Sequence, residues 1–164
     1  MVMVSIIVVG ISLDQITKAI AIAHLVPGVP VSILSDVFTL QLLRNPGAAF
    51  STGTSLTVWF SILALVVMIA VSVWVMPKVR SILWAVAVGM GMAGVAGNFI
   101  DRLFRAPGPF RGHVIDFFSV KYFAVFNVAD ILLTCAAILI VVNVLFIRVD
   151  LNGARTISAN SRTR

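Results

Sequence analysis

Aspartate supplies every carboxylate side chain of this 164-residue chain, which contains six Asp and no Glu. Four of the six lie in or beside apolar stretches long enough to cross a lipid bilayer. An ionised side chain at membrane depth costs about 3 kcal/mol on insertion scales, so such residues are usually paired, turned inward and functional. We therefore expect the chemistry of the protein to lie among these four: Asp14, Asp101, Asp116 and Asp130.

Helical spacing places most of these carboxylates on one helix face with a second polar residue. Residues three or four positions apart share a face, so each pair can point inward together. At a rise of 1.5 Å per residue, Asp130 is expected about 10 Å below the membrane surface, in a cavity open to one side. The pairs are Asp14 with Lys18, Asn98 with Asp101, and Asn127 with Asp130.

Asp116 and Asp130 are the carboxylates best suited to acid–base catalysis. Neither has a cation within one helical turn, unless Lys121 folds back onto them. If the two approach each other in a partly dry site, repulsion between like charges raises one pKa, and the pair holds a single proton near neutral pH. One carboxyl group can then activate a water while the other donates a proton, as in aspartic proteases.

The other two carboxylates have neighbouring cations and are expected to be mainly structural. Lys18 is predicted to form an ion pair with Asp14 that joins the first span to its neighbours. Arg102 is predicted to hold a neighbouring carboxylate or amide, which keeps Asp101 ionised and makes it a poor proton donor.

The elements that position these residues are predicted to be transmembrane helices. With 60% apolar and 11% charged residues and a mean hydropathy of +1.11, the chain lies far outside the range of soluble globular proteins. The predicted fold class is an all-α membrane protein, with one domain over residues 1–164. Its four apolar spans cover about residues 2–25, 55–76, 81–100 and 124–147, and a polar tail follows over 148–164.

Two long connections, 26–54 and 101–123, fall on the same side of the membrane. The first contains the stretches VSIL and VFTLQLL, rich in β-branched and aromatic residues, which predict a small β-element. The second is interrupted by APGP, which predicts a short helix or a flap. On the opposite side, Pro77 ends a helix in a tight hairpin, and the tail after Arg148 is expected to be disordered.

Metal and cofactor chemistry has little support in the sequence. Cys135 is the only cysteine, so no intrachain disulfide can form, and His24 and His113 lack metal-ligand spacing. The GMGMAG run matches a dinucleotide-binding pattern but follows no strand, so it is interpreted as a helix-packing ridge. We expect no metal, no cofactor and no nucleic-acid partner. The small residues of the ridge are Gly89, Ala93 and Gly97.

Five motifs together resemble the lipoprotein signal peptidases, the signal peptidase II family of aspartic proteases in bacterial inner membranes. In the family's order, they are DQITK at 14–18, RNPGAAFS at 44–51, GNFIDR at 97–102, VIDFF at 114–118 and FNVAD at 126–130. The resemblance implies that Asp116 and Asp130 are the catalytic pair, with Asp101 and Asp130 as the second-ranked pairing. It also implies that eight residues shape or bind the site: Asp14, Lys18, Asn45, Asn98, Asp101, Arg102, Asn127 and Ala129.

Two loop features bear on how a substrate would bind. Asn45 can hydrogen-bond an extended peptide backbone while Gly47, Ala48 and Ala49 leave room for it, although a plain turn is an alternative. The spacer over 103–115 is longer than expected for the family, so the outer flap is expected to be enlarged or differently placed.

The resemblance further implies a substrate and a location. The substrate would be a diacylglyceryl-modified prolipoprotein, cut on the amino side of its lipidated cysteine. The protein would act as a monomer among the lipids of the bacterial inner membrane, with its active site near the extracytoplasmic face. Charge bias gives little guidance on orientation, because the hairpin and tail hold six Lys or Arg and the two long loops hold five.

Two other classes of protein are alternatives. A small proton- or ion-coupled transporter subunit would use membrane aspartates as a relay, and would spread them through the whole bilayer depth. A membrane scaffold without enzymatic activity would have little reason to bury so many polar groups in one cavity.

Overall fold

Four long apolar helices dominate the fold, as predicted, and a small sheet lies beside one end of them. The computed structural model describes residues 1–47 and 54–155. Four helices are long and apolar enough to cross a membrane: Val2–His24, Leu56–Lys78, Ile82–Phe104 and Val128–Ile147. Their α-helical parts are α1 (Val2–His24), α2 (Thr54–Ala70), α3 (Ile82–Phe104) and α4 (Val128–Val142). A π-helical turn extends α2 over Val71–Val75 and another extends α4 over Asn143–Ile147.

Helix α3 is the central helix because small residues let α1 and α4 approach its backbone. Ala93 is fully buried, and a Cβ atom placed on Gly89 would lie 3.1 Å from Ile6 of α1. On the α4 side, a Cβ atom on Gly94 would lie only 2.5 Å from the carbonyl oxygen of Ala129. The predicted packing ridge on α3 is therefore confirmed, and it serves both neighbouring helices.

Three antiparallel strands form the sheet, in the order β1 (Val31–Leu34), β2 (Phe38–Asn45) and β3 (Val114–Val120). The β-element predicted in the first long connection is confirmed at β1 and β2. Strand β3 pairs with β2 so that Asn45 lies opposite Val114 and Leu43 lies opposite Asp116. The sheet packs its apolar face against the end of α1, where Ile115 and Phe117 are buried. The pairing of β2 with β3 also brings Asn45, at the end of β2, close to Asp116.

The second long connection, predicted to form a short helix or a flap, contains no separate helix. Helix α3 continues to Phe104, and the chain turns back through residues 105–113, where the Gly112 amide donates to the Arg102 carbonyl oxygen at 2.9 Å. The following VIDFFSV stretch forms β3 because its β-branched and aromatic side chains suit a half-buried sheet surface. The long spacer is thus a compact turn followed by a strand.

The chain after Arg148 was expected to be disordered, which is wrong for residues 149–155. The Leu151 carbonyl oxygen accepts hydrogen bonds from the amides of Arg80 and Ser81, at 2.7 and 3.0 Å. These amides lie at the N-terminal end of α3, where backbone amides have no hydrogen-bond acceptor within the helix. The Trp84 indole also donates to the Val149 carbonyl oxygen at 2.8 Å. Residues 156–164 of the predicted tail lie outside the described residues.

Replacing Gly94 with Ala should destabilise the protein, because the new methyl group would overlap the Ala129 carbonyl oxygen and Leu133. Overpacking of this kind costs about 1–3 kcal/mol. Gly91→Ala is the matched control on the same helix, since its Cβ atom would lie at an ordinary 3.6 Å from Ala136. Thermal unfolding in detergent should show a lower midpoint for Gly94→Ala alone. Equal midpoints would contradict the close packing of α3 against α4.

Candidate active site

Helix α4 begins with a reciprocal cap formed by two of the predicted site residues. Asn127 is the N-cap residue, and its side-chain oxygen accepts a hydrogen bond from the Asp130 amide at 3.1 Å. In return, Asp130 Oδ2 accepts one from the Asn127 amide at 3.1 Å. The helix therefore starts at Val128 rather than 124, and Asp130 lies in its first turn, while its expected depth below the membrane surface stays a prediction. The cap holds the Asp130 carboxylate in the first turn of α4.

Asp116 is supplied by β3 and is almost fully buried, with 2% of its surface exposed. Each of its carboxyl oxygens meets the side-chain amide of an asparagine. Oδ2 accepts from Asn45 Nδ2 at 2.8 Å, and Oδ1 accepts from Asn127 Nδ2 at 2.6 Å. The strand pairing and the helix cap thus fix this carboxyl group from two sides.

Asn98 of α3 completes a hydrogen-bonded link between the two carboxyl groups. Its Nδ2 donates to Asp130 Oδ1 at 2.9 Å, and its oxygen accepts from Asn127 Nδ2 at 3.1 Å. Because Asn127 also donates to Asp116, neutral amides connect Asp116 to Asp130 without a break. Lys18 sets the orientation of this link, since its ammonium group can only donate and it contacts the Asn98 oxygen at 3.0 Å.

Burial raises the pKa of Asp116 from 3.8 to about 6. The main cause is the loss of water around the carboxylate, and the negative charge of Asp130 acts in the same direction. The hydrogen bonds from Asn45 and Asn127 oppose this shift, because they favour the ionised form. Lys121 does not fold back onto these carboxyl groups, because it is exposed and its ammonium group lies over the ring of Tyr122.

A buried ion cluster lies next to the amide link. Lys18 contacts Asp14 at 2.9 Å and Asp101 at 2.8 Å, and all three side chains are excluded from solvent. The predicted ion pair of Lys18 with Asp14 is therefore present. Asp101 also pairs with Arg105 at 2.5 Å, and its Oδ2 accepts the amide of Ile115 at 3.1 Å.

The cations that hold Asp101 were predicted incorrectly, because Lys18 and Arg105 pair with it among the described residues and Arg102 does not. The conclusion that Asp101 is structural nevertheless gains support. Its two oxygens are occupied by two cations and a backbone amide, which leaves it poorly suited to proton transfer. This argues against the alternative pairing of Asp101 with Asp130.

Ala129 enters the site through its backbone. Its amide donates to Asp14 Oδ1 at 3.0 Å, and its side chain is fully buried. Gly97 makes this contact possible, because a Cβ atom at that position would lie 2.5 Å from Asp14 Oδ2. Asp14 therefore ties the start of α4 to α1 and α3.

Arg102 faces a cavity instead of a carboxylate. Its guanidinium carbon lies 5.9 Å from the centre of the Phe60 ring, and its buried Nη1 has no hydrogen-bond partner among the described residues. The cavity, of about 250 Å³, lies between α2 and the α3–α4 pair and also contacts Asn98. Its other lining residues are apolar: Leu63, Ala64, Val67, Val95, Phe99 and Leu133.

The end of β2 forms a tight turn next to the site. The Gly47 amide donates to Asn45 Oδ1 at 2.8 Å, and Gly47 adopts a φ of +87°, which favours glycine. The turn that was the alternative for this stretch is present at residues 45–47, and the Asn45 side chain is engaged by Asp116 and by this turn. A peptide-binding role for this segment stays a prediction, and Ala48 and Ala49 lie outside the described residues.

Two contributors were missing from the predicted site. Arg105 could have been found from its spacing of four residues after Asp101, which places both on one helix face. Gln15 donates to Asp14 Oδ2 at 3.0 Å and to the Gly97 carbonyl oxygen at 3.1 Å. Its only signal in the sequence is that it is a polar residue inside an apolar span.

Comparison with known proteins gives consistent matches. The sequence profile described as Signal peptidase (SPase) II matches residues 6–146. A lipoprotein signal peptidase of Rhodococcus jostii is 46% identical over 134 residues, covering 82% of this chain and 67% of the relative. One of Mycobacterium tuberculosis H37Rv is 45% identical over 144 residues, covering 88% and 71%. A bacterial membrane enzyme solved by the in meso method at 1.9 Å resolution superposes with a TM-score of 0.76 at 29% identity, covering 88% of this chain and 92% of that one.

Lys18→Met should destabilise the protein strongly while nearly conserving side-chain volume. The substitution leaves Asp14 without its cation and removes one of the two cations that hold Asp101, both in fully buried positions. Removing one partner of a buried ion pair typically costs about 3–5 kcal/mol. The unfolding midpoint in detergent should fall by many degrees, and Lys121→Met at an exposed position should leave it unchanged. A stable Lys18→Met protein would show that the cluster is dispensable.

Proposed function

The chain belongs to the signal peptidase II family, and from this premise we propose that it is an aspartic endopeptidase whose catalytic groups are Asp116 and Asp130. Membership of the family makes it a peptidase that removes signal peptides from prolipoproteins. The observation that carries the catalytic assignment is the neutral amide link from Asp116 through Asn127 and Asn98 to Asp130. It holds two carboxyl groups near each other without a cation bound directly to either one among the described residues.

The two carboxyl groups differ in a way that suits different roles. Asp116 is buried and its pKa is raised to about 6, so it is the better proton donor. Asp130 is only partly buried and therefore has access to water, and its oxygens accept hydrogen bonds from Asn98 and from the Asn127 amide. We assign the general acid to Asp116 and the general base to Asp130.

The proposed reaction conserves atoms and protons. Asp130 removes a proton from a water molecule as the water oxygen bonds to the scissile carbonyl carbon, and Asp116 gives its proton to the carbonyl oxygen. The resulting diol then returns a proton to Asp116 as the carbon–nitrogen bond breaks. Asp130 passes its proton to the departing amine, which restores both carboxyl groups.

Arg102 supplies the clearest sign of where the substrate binds. Its buried Nη1 has no hydrogen-bond partner among residues 1–47 and 54–155, and an unpartnered buried nitrogen is costly, so we expect the substrate to supply the acceptor. We propose that the peptide around the scissile bond binds in the cavity lined by Arg102 and Asn98. The apolar walls of this cavity would then contact the signal sequence. The cut is proposed to fall on the amino side of a diacylglyceryl-modified cysteine.

The proposed setting is the bacterial inner membrane, with the sheet and the site at the extracytoplasmic end of the helices. With four spans, the connections that carry β1, β2 and β3 fall on the same side of the membrane, which we assign as the extracytoplasmic side. All residues assigned to the site belong to one copy of the chain, so the proposed enzyme acts as a monomer. The transporter alternative is not favoured, because the relatives are named as peptidases.

Asp116→Asn and Asp130→Asn should each reduce cleavage of a purified lipidated precursor by about 10²-fold or more, since each variant removes one partner in proton transfer. Both variants should still insert and fold, because an amide replaces a carboxyl group of nearly the same shape. Asp36→Asn is the control, at an exposed aspartate outside the site. Release of the signal peptide, followed by mass spectrometry, measures the rate.

The same assay separates the two possible pairings. If Asp116→Asn retained full activity while folded Asp101→Asn lost it, Asp101 and not Asp116 would be the partner of Asp130. An intact precursor with wild-type protein, under conditions where a known relative cleaves it, would oppose the peptidase assignment altogether.

Activity should fall as pH rises through about 6. The reaction requires a protonated Asp116, and above its raised pKa of about 6 the protonated fraction falls about tenfold for each further pH unit. The measurement is kcat against pH in detergent micelles of constant composition, where the substrate is saturating. A rate that rises through this range would show that ionised Asp116 is the active form, which would exchange the roles of the two carboxyl groups.

A further inference from the structure

Between Leu56 and Lys78, the described second span buries only two side chains, and both carry hydroxyl groups. Thr57 is 2% exposed and Ser61 is fully buried, whereas all other side chains in this range are half-buried or exposed. The two residues are four positions apart and share one helix face. Since lipid is as apolar as the side chains of α2, apolar packing alone holds this helix weakly, and polar contacts decide where its outer end lies.

Each hydroxyl group reaches a different loop beside the site. Thr57 Oγ1 donates to the Pro46 carbonyl oxygen at 2.5 Å. Ser61 Oγ lies 2.8 Å from the Phe110 carbonyl oxygen and 2.8 Å from that of Thr57, so these two acceptors share its single proton. Thr57 therefore holds the turn after β2, and Ser61 holds the compact turn after α3.

The turn held by Thr57 orients a hydrogen-bond donor to Asp116. Pro46 is the middle residue of this turn, in which Asn45 Oδ1 accepts the Gly47 amide. Because that oxygen is occupied, the side-chain amide of Asn45 must present Nδ2 to Asp116, at 2.8 Å. A turn that shifted away from α2 would move or rotate this donor.

We propose that Thr57 is a positioning residue for Asp116 and acts on it through Pro46 and Asn45. The inference rests on the proposed function, because it takes Asp116 to be a group in the reaction. The charged groups around Asp116 are Asp130 on α4, Lys18 on α1 and Arg102 on α3. Replacing Thr57 changes none of these charges, so any effect on the titration of Asp116 passes through the Asn45 donor.

Thr57→Val tests this directly, since valine keeps the shape of threonine and removes the hydroxyl group. A weaker bond from Asn45 disfavours the ionised form of Asp116, so the fall in kcat with rising pH should shift upward by about 0.5–1 pH unit. The maximal kcat should drop about tenfold because Asp116 is less well held, while KM changes little. Thr57→Ser keeps the hydroxyl group and should restore both values.

Two matched controls come from the same helix. Ser61→Ala removes a hydroxyl group on the same face that binds the other loop, and should leave the pH profile in place. Ser72→Ala makes the same chemical change at an exposed position and should change neither kcat nor the profile. Unfolding midpoints measured for all variants identify a purely structural effect, which would lower the midpoint without moving the profile.

An unshifted profile in folded Thr57→Val, or an equal shift in Ser61→Ala, would overturn the positioning role. If Thr57→Val does not accumulate in membranes, Thr57→Ala carries the same expectation. The outcome is separable from that of the proposed function. An inactive Asp116→Asn with an unshifted Thr57→Val refutes only the positioning role, whereas an active Asp116→Asn refutes the catalytic assignment itself.

Discussion

The structure depends on one ammonium group that is removed from water. Lys18 is fully buried, and its three N–H donors meet three acceptors, two of them carboxylates. A buried charge with these partners can be sustained, whereas one without them would be expelled or neutralised. The two carboxylates then extend the connection, because each also accepts a hydrogen bond from a backbone amide, Asp14 from α4 and Asp101 from the start of β3. The contacts run from Asp14 to Ala129 and from Asp101 to Ile115.

Neutral amides separate this ionic cluster from the proposed catalytic carboxyl groups. The side-chain oxygen of Asn98 accepts from Lys18 and its nitrogen donates to Asp130. Lys18 therefore fixes the orientation of the Asn98 amide, while the group in contact with Asp130 is uncharged. Asn127 likewise presents an uncharged amide to Asn98 and Asp116, and it also begins α4. A cation in direct contact would lock both carboxylates in the ionised form. In the proposed mechanism, the amides hold the geometry and leave one proton free to move.

The sequence was informative wherever a strong local signal existed. Apolar length predicted all four spans, and the β-branched stretches VSIL and VFTLQLL predicted β1 and β2. It failed at 114–120, although VIDFFSV is rich in β-branched and aromatic residues, because the strand was not separated from the turn before it. It also failed at 149–155, where the start of α3 supplies the hydrogen-bond partners and the local sequence carries no matching pattern.

At the candidate site, residue types were easier to predict than partners. Asp14 and Lys18 were paired correctly because four residues on a helix bring side chains together. Asn127 and Asp130 were also recognised as neighbours, although as a helix face instead of a cap. The N-V-A-D pattern does carry a capping signature, with the acidic residue three positions after the asparagine. Arg102 was misassigned because adjacency in sequence does not determine which way a long side chain turns.

The segment after α4 has a mechanical consequence for the whole bundle. Residues 149–151 bind the start of α3, so α3 and α4 are joined at that end as well as through Asn98 and the cap at the other. Because α3 and α4 are joined at both ends, they resist separation. If the proposed peptide substrate enters from the bilayer, any widening is therefore expected at α2, whose described side chains are buried only at Thr57 and Ser61, while α3 and α4 keep their spacing.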